Sequence, residues 1–179
     1  MASFQDRVIG ALKLQAATFE EVENDATATG QAAAVVVAAS VASGLGLIFW
    51  LGIGAVLRQI IVSLIAWGVG STVIWYIGTK LMPGKNTQAD IGQLLRVLGF
   101  AQAPGIASIL IILPLIRYLI MLAVMIWTIA ATVIAVRQAL DYDDTMKAVV
   151  VCLIAAAAYW VVMMLFIAIG FGPRMYSYY

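Results

Sequence analysis

The segment LLRVLGFAQAPGIASILIILP occupies residues 94–114, near the middle of a 179-residue chain. It enters an apolar run from a polar loop, contains Pro104 near its centre and ends at Pro114. Proline lacks the backbone N–H of a helical residue and its ring clashes with the preceding turn, so we expect a helix break beside Gln102. The segment therefore predicts an interrupted helix, with long apolar runs on both sides of it.

Hydrophobic residues make up 64% of the chain, and its mean hydropathy is +1.04. Soluble domains contain about 45–50% apolar residues, so this composition indicates an integral membrane protein. Besides the interrupted run, four apolar runs have the length of about 20 residues that a helix needs to cross a bilayer. They cover residues 32–51, 60–79, 118–136 and 148–171. The sequence predicts an all-α, polytopic membrane protein with five transmembrane helices, the third of them broken by proline.

The N-terminal residues predict a short amphipathic helix. Phe4, Val8 and Leu12 share one helical face, Arg7 lies on the polar side, and Ser3 is placed to cap the first turn. Such a helix is typical of segments that lie on the membrane surface. We divide the chain into a cytoplasmic or interfacial region at 1–31, a five-helix transmembrane domain at 32–171 and an aromatic tail at 172–179.

Small residues recur at about four-residue intervals in the first two apolar runs. Strips of this kind let helices approach closely in lipid, where packing replaces the hydrophobic effect. We predict helix packing, against a helix of the same chain or of another subunit, at Ala34, Ala38, Ala42, Gly46, Ala66, Gly70 and Gly78.

The distribution of basic residues predicts the orientation. Arg7, Lys13, Lys80, Lys85, Arg96, Arg137 and Lys147 fall on the N-terminal side of the five spans, against Arg58, Arg117 and Arg174 on the other side. This bias favours a cytoplasmic N-terminus, a C-terminus on the opposite side and the cytoplasmic (inner) membrane. Arg96, at the entrance of the third span, is expected to reach the lipid headgroups.

Four acidic residues precede the first span on the predicted cytoplasmic side. They either stabilise the start of a helix, where carboxylates are favoured, or form a docking surface for a cytoplasmic partner. They are Glu20, Glu21, Glu23 and Asp25.

The sequence offers few residues of the types that usually act in catalysis or ligand binding. The chain has no histidine, and its one cysteine, Cys152, lies in an apolar run. No carboxylate or lysine falls in the middle of a predicted span, so we predict no catalytic residue, cofactor or metal site. Asp143 or Asp144 is expected to cap the fifth span. Ten basic residues against nine acidic ones leave no large basic surface for nucleic acid.

Three stretches and the layout of five spans together resemble the prokaryotic branch of the Yip-domain family. They are TFEEVENDATATGQA at 18–32, LLRVLGFAQAP at 94–104 and VRQAL at 136–140. The resemblance implies a cytoplasmic N-terminus and a scaffold or membrane-organising role. Eukaryotic relatives are Golgi and endoplasmic-reticulum proteins associated with Rab GTPases. This sequence lacks their long N-terminal region and its Tyr-Gly-Pro type motif, so a Rab-type GTPase is not expected as its partner.

The sequence therefore predicts a non-enzymatic scaffold that acts through helix packing, with membrane lipid and either other transmembrane subunits or further copies of itself as partners. One alternative is an accessory transmembrane subunit of a larger complex. Another is a passive channel, or a lipid or small-solute transporter, centred on the broken third helix. The last alternative requires a polar or hydrated cavity beside Gln102, a residue that otherwise serves to satisfy the backbone near Pro104.

Overall fold

A computed structural model describes residues 2–46, 48 and 52–166, and within these residues it contains helices joined by loops and no strand. Seven α-helices, one π-helix and one 3₁₀-helix follow in chain order among these residues. They are α1 (Phe4–Leu12), α2 (Ala16–Asn24), α3 (Ala28–Gly46), α4 (Gly54–Tyr76), the π-helix (Ile77–Leu81), α5 (Ile91–Phe100), the 3₁₀-helix (Ala103–Ile112), α6 (Arg117–Ala139) and α7 (Thr145–Phe166).

Among the described residues, four helical stretches are long and apolar enough to cross a membrane. They are Ala28–Gly46, Val56–Leu81, Ile91–Ile112 and Arg117–Ala139. A shorter apolar helix covers Thr145–Val161 in α7, and the remainder of the fifth predicted span extends beyond residue 166, outside the described part of the chain. The end of the first predicted span and the tail at 172–179 also fall there. The protein is an all-α membrane protein with several membrane-spanning helices.

The two N-terminal helices pack against the ends of α5 and α6 and against the 3₁₀-helix. Ser3 caps α1 as expected, because its hydroxyl accepts a hydrogen bond from the Asp6 N–H at 3.2 Å. The rings of Phe4 and Phe100 meet edge to face with centroids 6.4 Å apart. On α2, Phe19 and Val22 are fully buried. The first 24 residues thus share a hydrophobic core with the bundle.

The third span changes helix type in its middle. α5 ends at Phe100, and after one turn the 3₁₀-helix begins at Ala103 with Pro104 in its first turn. The Gly105 N–H donates to the Gln102 carbonyl at 2.8 Å, so the turn around the proline keeps a backbone hydrogen bond. A 3₁₀-helix of 10 residues is unusually long, since such helices rarely exceed three or four.

Small residues bring the third span into backbone contact with α3. A Cβ added at Gly99 would lie 2.6 Å from the Ala32 Cβ, and one at Gly105 would lie 3.0 Å from the Ala39 Cβ. Further along, a Cβ at Gly46 would meet the Ser108 carbonyl. The three positions on α3 are spaced by seven residues, which places them almost in line along one face of a helix.

This contact predicts a difference between two glycine-to-alanine variants. Gly99→Ala forces a methyl group against the backbone of Ala32, and overpacking of this kind typically costs about 1–3 kcal/mol. Gly70→Ala is the matched control, because a Cβ at Gly70 has no heavy atom within 4 Å. We expect Gly99→Ala to lower the thermal midpoint of the protein in mild detergent and Gly70→Ala to leave it unchanged or slightly higher. Equal shifts in both variants would contradict the contact.

Candidate functional site

Arg7 is buried at the centre of a polar cluster at the N-terminal end of the bundle. Its side chain is 2% exposed, although it is a charged residue of a surface helix. Nη2 donates to Glu21 Oε1 at 3.0 Å and to Asp25 Oδ2 at 2.7 Å, and Nη1 donates to Gln31 Oε1 at 3.0 Å. One guanidinium therefore joins α1, α2 and the first turn of α3. Arg7 lies off the apolar face of α1, and these partners satisfy its charge inside the protein.

The two carboxylates that bind Arg7 are held in their ionised form. The Thr27 hydroxyl donates to Asp25 at 2.6 Å and, together with Arg7, lowers the pKa of Asp25 to about 2. The Ala2 N–H donates to Glu21 at 2.9 Å and, with Arg7, lowers the pKa of Glu21 as well. Both groups lie in an internal network, so they stabilise the packing of α1 and α2.

Arg96, at the entrance of the third span, also joins two helices through buried hydrogen bonds. It is buried, and its Nε donates to the carbonyls of Val22 at 3.1 Å and Glu23 at 3.0 Å, while Nη2 also donates to Glu23. These carbonyls belong to the last turn of α2, where no helical N–H is left to bind them and where the helix dipole favours a cation. The expectation that Arg96 reaches the lipid headgroups is wrong, since the C-terminal end of α2 occupies that place.

Glu23 is the most perturbed carboxylate of this end of the bundle. It is 8% exposed and accepts a hydrogen bond from Gln93 Nε2 at 3.0 Å. Burial and, to a smaller extent, the charge of Asp141 raise the pKa of Glu23 to about 7, although Arg96 opposes the shift in part. The four acidic residues of the predicted docking surface thus differ in environment: Glu20 is exposed, Glu21 and Asp25 bind Arg7, and Glu23 is buried.

Glu20 and Glu23 line an open polar cavity of about 760 Å³ at the same end of the molecule. Its other lining residues are Asn24, Asn86, Gln88, Gln93, Arg137, Gln138, Asp141, Tyr142 and Asp143. The Tyr142 hydroxyl donates to the Met82 carbonyl at 2.7 Å, which joins the loop after α6 to the loop after the π-helix. Asp144 caps α7 as expected, with its Oδ1 accepting from the Met146 N–H at 2.9 Å. Across the described residues, no cluster of three or more acidic or cysteine side chains is placed to hold a metal ion.

The predicted packing residues are not on one face of α3. Ala42 and Gly46 are buried against the bundle, whereas Ala34 and Ala38 are exposed. The reason is geometric: each residue advances about 100° around an α-helix, so every four-residue step drifts by about 40°. In the second span, Gly78 is buried against the Leu140 side chain, Gly70 has open space beside it, and Ala66 lines a cavity.

That cavity, of about 250 Å³, lies between α3, α4 and the start of the 3₁₀-helix. Its lining includes Gln102, which stands beside Pro104, and Gly105, which follows the proline. The remaining lining residues are Val36, Ala39, Ser40, Ser43, Gln59, Ser63, Ala66 and Trp67. A polar cavity therefore adjoins Gln102 within the stretches long and apolar enough to span a membrane. Pro114 lies apart from it, in the exposed turn that precedes α6.

A comparison with known protein families matches residues 9–166 to the Yip1 domain. The match extends from α1 to the last described residue of α7. The chain belongs to the Yip1 domain family. No curated protein and no solved structure matches the chain.

Only part of the candidate site of this Yip1 domain could be predicted from its sequence. The partners of Arg7 are 14 to 24 residues away in the chain, and those of Arg96 are more than 70 residues away. No local sequence pattern therefore predicts either cluster. The spacing of polar residues in the sequence could have indicated the cavity beside Gln102. Ser40 and Ser43 are three residues apart on one apolar helix, and Gln59 and Ser63 are four apart on the next, so each pair shares a helical face.

The raised pKa of Glu23 predicts a stability that depends on pH. Because the folded state disfavours the ionised form, the contribution of Glu23 to stability is lost as the pH rises from about 4.5 through about 7. Glu23→Gln removes this ionisation and keeps an acceptor for Gln93. We expect the thermal midpoint of the variant, relative to the wild type, to increase between pH 5 and pH 8.5.

Glu20→Gln serves as the matched control, since it removes an exposed carboxylate from the same helix. If the midpoint of Glu23→Gln differs from the wild type by the same amount at both pH values, the buried carboxylate does not have this role.

Proposed function

We propose that this Yip1-domain protein is a non-enzymatic scaffold or membrane-organising component that binds other transmembrane helices. The observation that carries this proposal is the outer face of α3. Its exposed positions are Gly30, Ala34 and Ala38, all small residues. Part of the predicted small-residue strip is thus left uncovered by the helices that the structure describes.

Most exposed positions of α4 and α6 carry a different kind of residue. Exposed positions of α4 include Leu57, Ile61 and Ile65, and those of α6 include Leu119 and Ile126. Branched, bulky side chains of this type suit contact with lipid tails, whereas small residues leave a shallow groove that a second helix fills with close packing. The contrast supports a protein contact at α3 and lipid contact at α4 and α6.

The N-terminal end of the bundle provides a preformed surface for the scaffold. Arg7 and Arg96 fix α1 and α2 to the spans, so the open polar cavity keeps its shape without a partner. Exposed Glu20 and the loop carboxylates Asp141 and Asp143 border it. With basic residues concentrated at this end, we place it in the cytoplasm and the protein in the cytoplasmic membrane.

A second candidate differs only in the identity of the neighbour on α3. If the neighbour is another copy of the chain, the protein is a self-associating scaffold. If it is a different membrane protein, the chain is an accessory subunit of a larger complex. Both follow from the exposed Ala34 and Ala38, and native mass measurement in mild detergent separates them.

A double variant tests the contact surface. Ala34→Leu with Ala38→Leu fills the groove with two large side chains, and we expect it to abolish the association while leaving the thermal midpoint of the monomer within about 2 °C of the wild type. The association is measured by native mass spectrometry or by energy transfer between labelled copies in vesicles.

Val62→Leu with Val69→Leu is the matched control, because it enlarges two exposed positions of α4. The control should associate like the wild type. Undiminished association of the α3 variant would show that this face contacts lipid and would remove the proposal.

A further inference from the structure

The cavity beside Gln102 holds polar groups at a depth where water does not compensate for missing hydrogen bonds. Gln102 is near the middle of the 22-residue stretch Ile91–Ile112, which is long and apolar enough to span a membrane. At that depth an unsatisfied polar group costs several kcal/mol. A ligand that forms hydrogen bonds with the polar lining of this cavity would therefore be favoured.

Part of this lining has no hydrogen-bond partner among the described residues. Ser40 donates to the Val36 carbonyl at 2.6 Å, and Gln59 donates to the Ser63 hydroxyl at 3.2 Å. The side chains of Ser43 and Gln102 make no hydrogen bond within the described part of the chain. A glutamine amide offers two donors and an acceptor, and a serine hydroxyl offers one donor and accepts as well. The unused groups thus include both donors and acceptors, which face one shared space.

The chemistry of the lining selects the class of molecule that fits. None of the ten described residues that line the cavity is charged, so an ion would lie beside them without a counter-charge. Trp67 contributes an apolar wall, and its indole N–H is already engaged by the Leu95 carbonyl at 2.9 Å. A ligand that donates and accepts hydrogen bonds along one side and presents carbon on the other matches this arrangement.

The volume sets the size of the ligand. A cavity of about 250 Å³ is smaller than the roughly 300–1,000 Å³ of sites for drug-sized molecules, and larger than the roughly 30 Å³ that one water molecule occupies. A molecule or headgroup of a few carbon and oxygen atoms fits the space.

We propose that the cavity between α3, α4 and the 3₁₀-helix binds a small uncharged group rich in hydroxyls, of the glyceryl class. Gln102 and Ser43 supply the hydrogen bonds and Trp67 supplies the apolar wall. The group is either free glycerol or the headgroup of a diacylglycerol. This site is separate from the outer face of α3 and does not depend on the scaffold proposal.

The test uses the full chain in phosphatidylcholine nanodiscs, whose lipid carries no free glyceryl hydroxyl. Dioctanoylglycerol, which has one, is compared with trioctanoylglycerol, which has none, and glycerol alone forms a third arm. We expect dioctanoylglycerol or glycerol to raise the thermal midpoint with a saturable dependence on concentration, and trioctanoylglycerol to have no such effect. A response to glycerol alone identifies a free solute as the source, and a response to dioctanoylglycerol only identifies a lipid headgroup.

Gln102→Leu replaces the amide by an apolar side chain of similar size, and we expect it to weaken binding about tenfold or more. Ser43→Ala, a smaller change, should weaken binding several-fold and covers the case in which Gln102→Leu fails to fold. Thr132→Val is the matched control, since the Thr132 hydroxyl donates to the Thr128 carbonyl on α6, away from the cavity.

Three results would overturn the proposal. They are the absence of a saturable response to dioctanoylglycerol and to glycerol, an equal response to trioctanoylglycerol, and unchanged binding in Ser43→Ala together with a folded Gln102→Leu.

Discussion

The close approach of the third span to α3 determines where the other parts of this molecule lie. Gly99 faces Ala32, and Gly105 faces Ala39, so the two backbones touch where larger side chains would hold them apart. Because this contact continues on both sides of Pro104, the α-helical half and the 3₁₀ half of the span are both held against the same helix. The polar cavity beside Gln102 lies along the same interface, with α4 as its third wall.

The same contact sets the position of the N-terminal helices. Arg96 on α5 donates hydrogen bonds to carbonyls in the last turn of α2, and Arg7 joins α1 and α2 to α3. Charged residues make up only 11% of the chain, and two of its arginines attach one end of the molecule to its spans. The result is a fixed polar surface at that end, with a buried carboxylate, Glu23, within it.

Features of the structure that depend on neighbouring residues could be predicted from the sequence. The apolar runs predicted helices that span the membrane, Ser3 predicted the start of α1, and Asp144 predicted the cap of α7. Features that depend on distant residues could not. The same charged side chain is consistent with solvent, lipid headgroups or a buried ion pair until its partners are known, which is why Arg96 was placed wrongly and the partners of Arg7 were not predicted. The contact with the third span was missed for a different reason: the predicted strip had a four-residue period, which drifts around the helix, whereas Ala32, Ala39 and Gly46 follow a seven-residue period, which drifts much less.

Disulfide formation between α3 and the third span tests this account most directly. Ala39→Cys and Gly105→Cys are combined with Cys152→Ser, so that only the two new thiols are present. A Cβ at Gly105 lies 3.0 Å from the Ala39 Cβ, and a shift of about 0.5–1 Å brings the pair to the separation of a disulfide. After mild oxidation in native membranes, alkylation and mass spectrometry should find both thiols consumed within one chain, while the pair Ala38→Cys and Gly105→Cys keeps them free. Free thiols in the first pair, or equal cross-linking of both pairs, would contradict the close contact on which the rest of the structure depends.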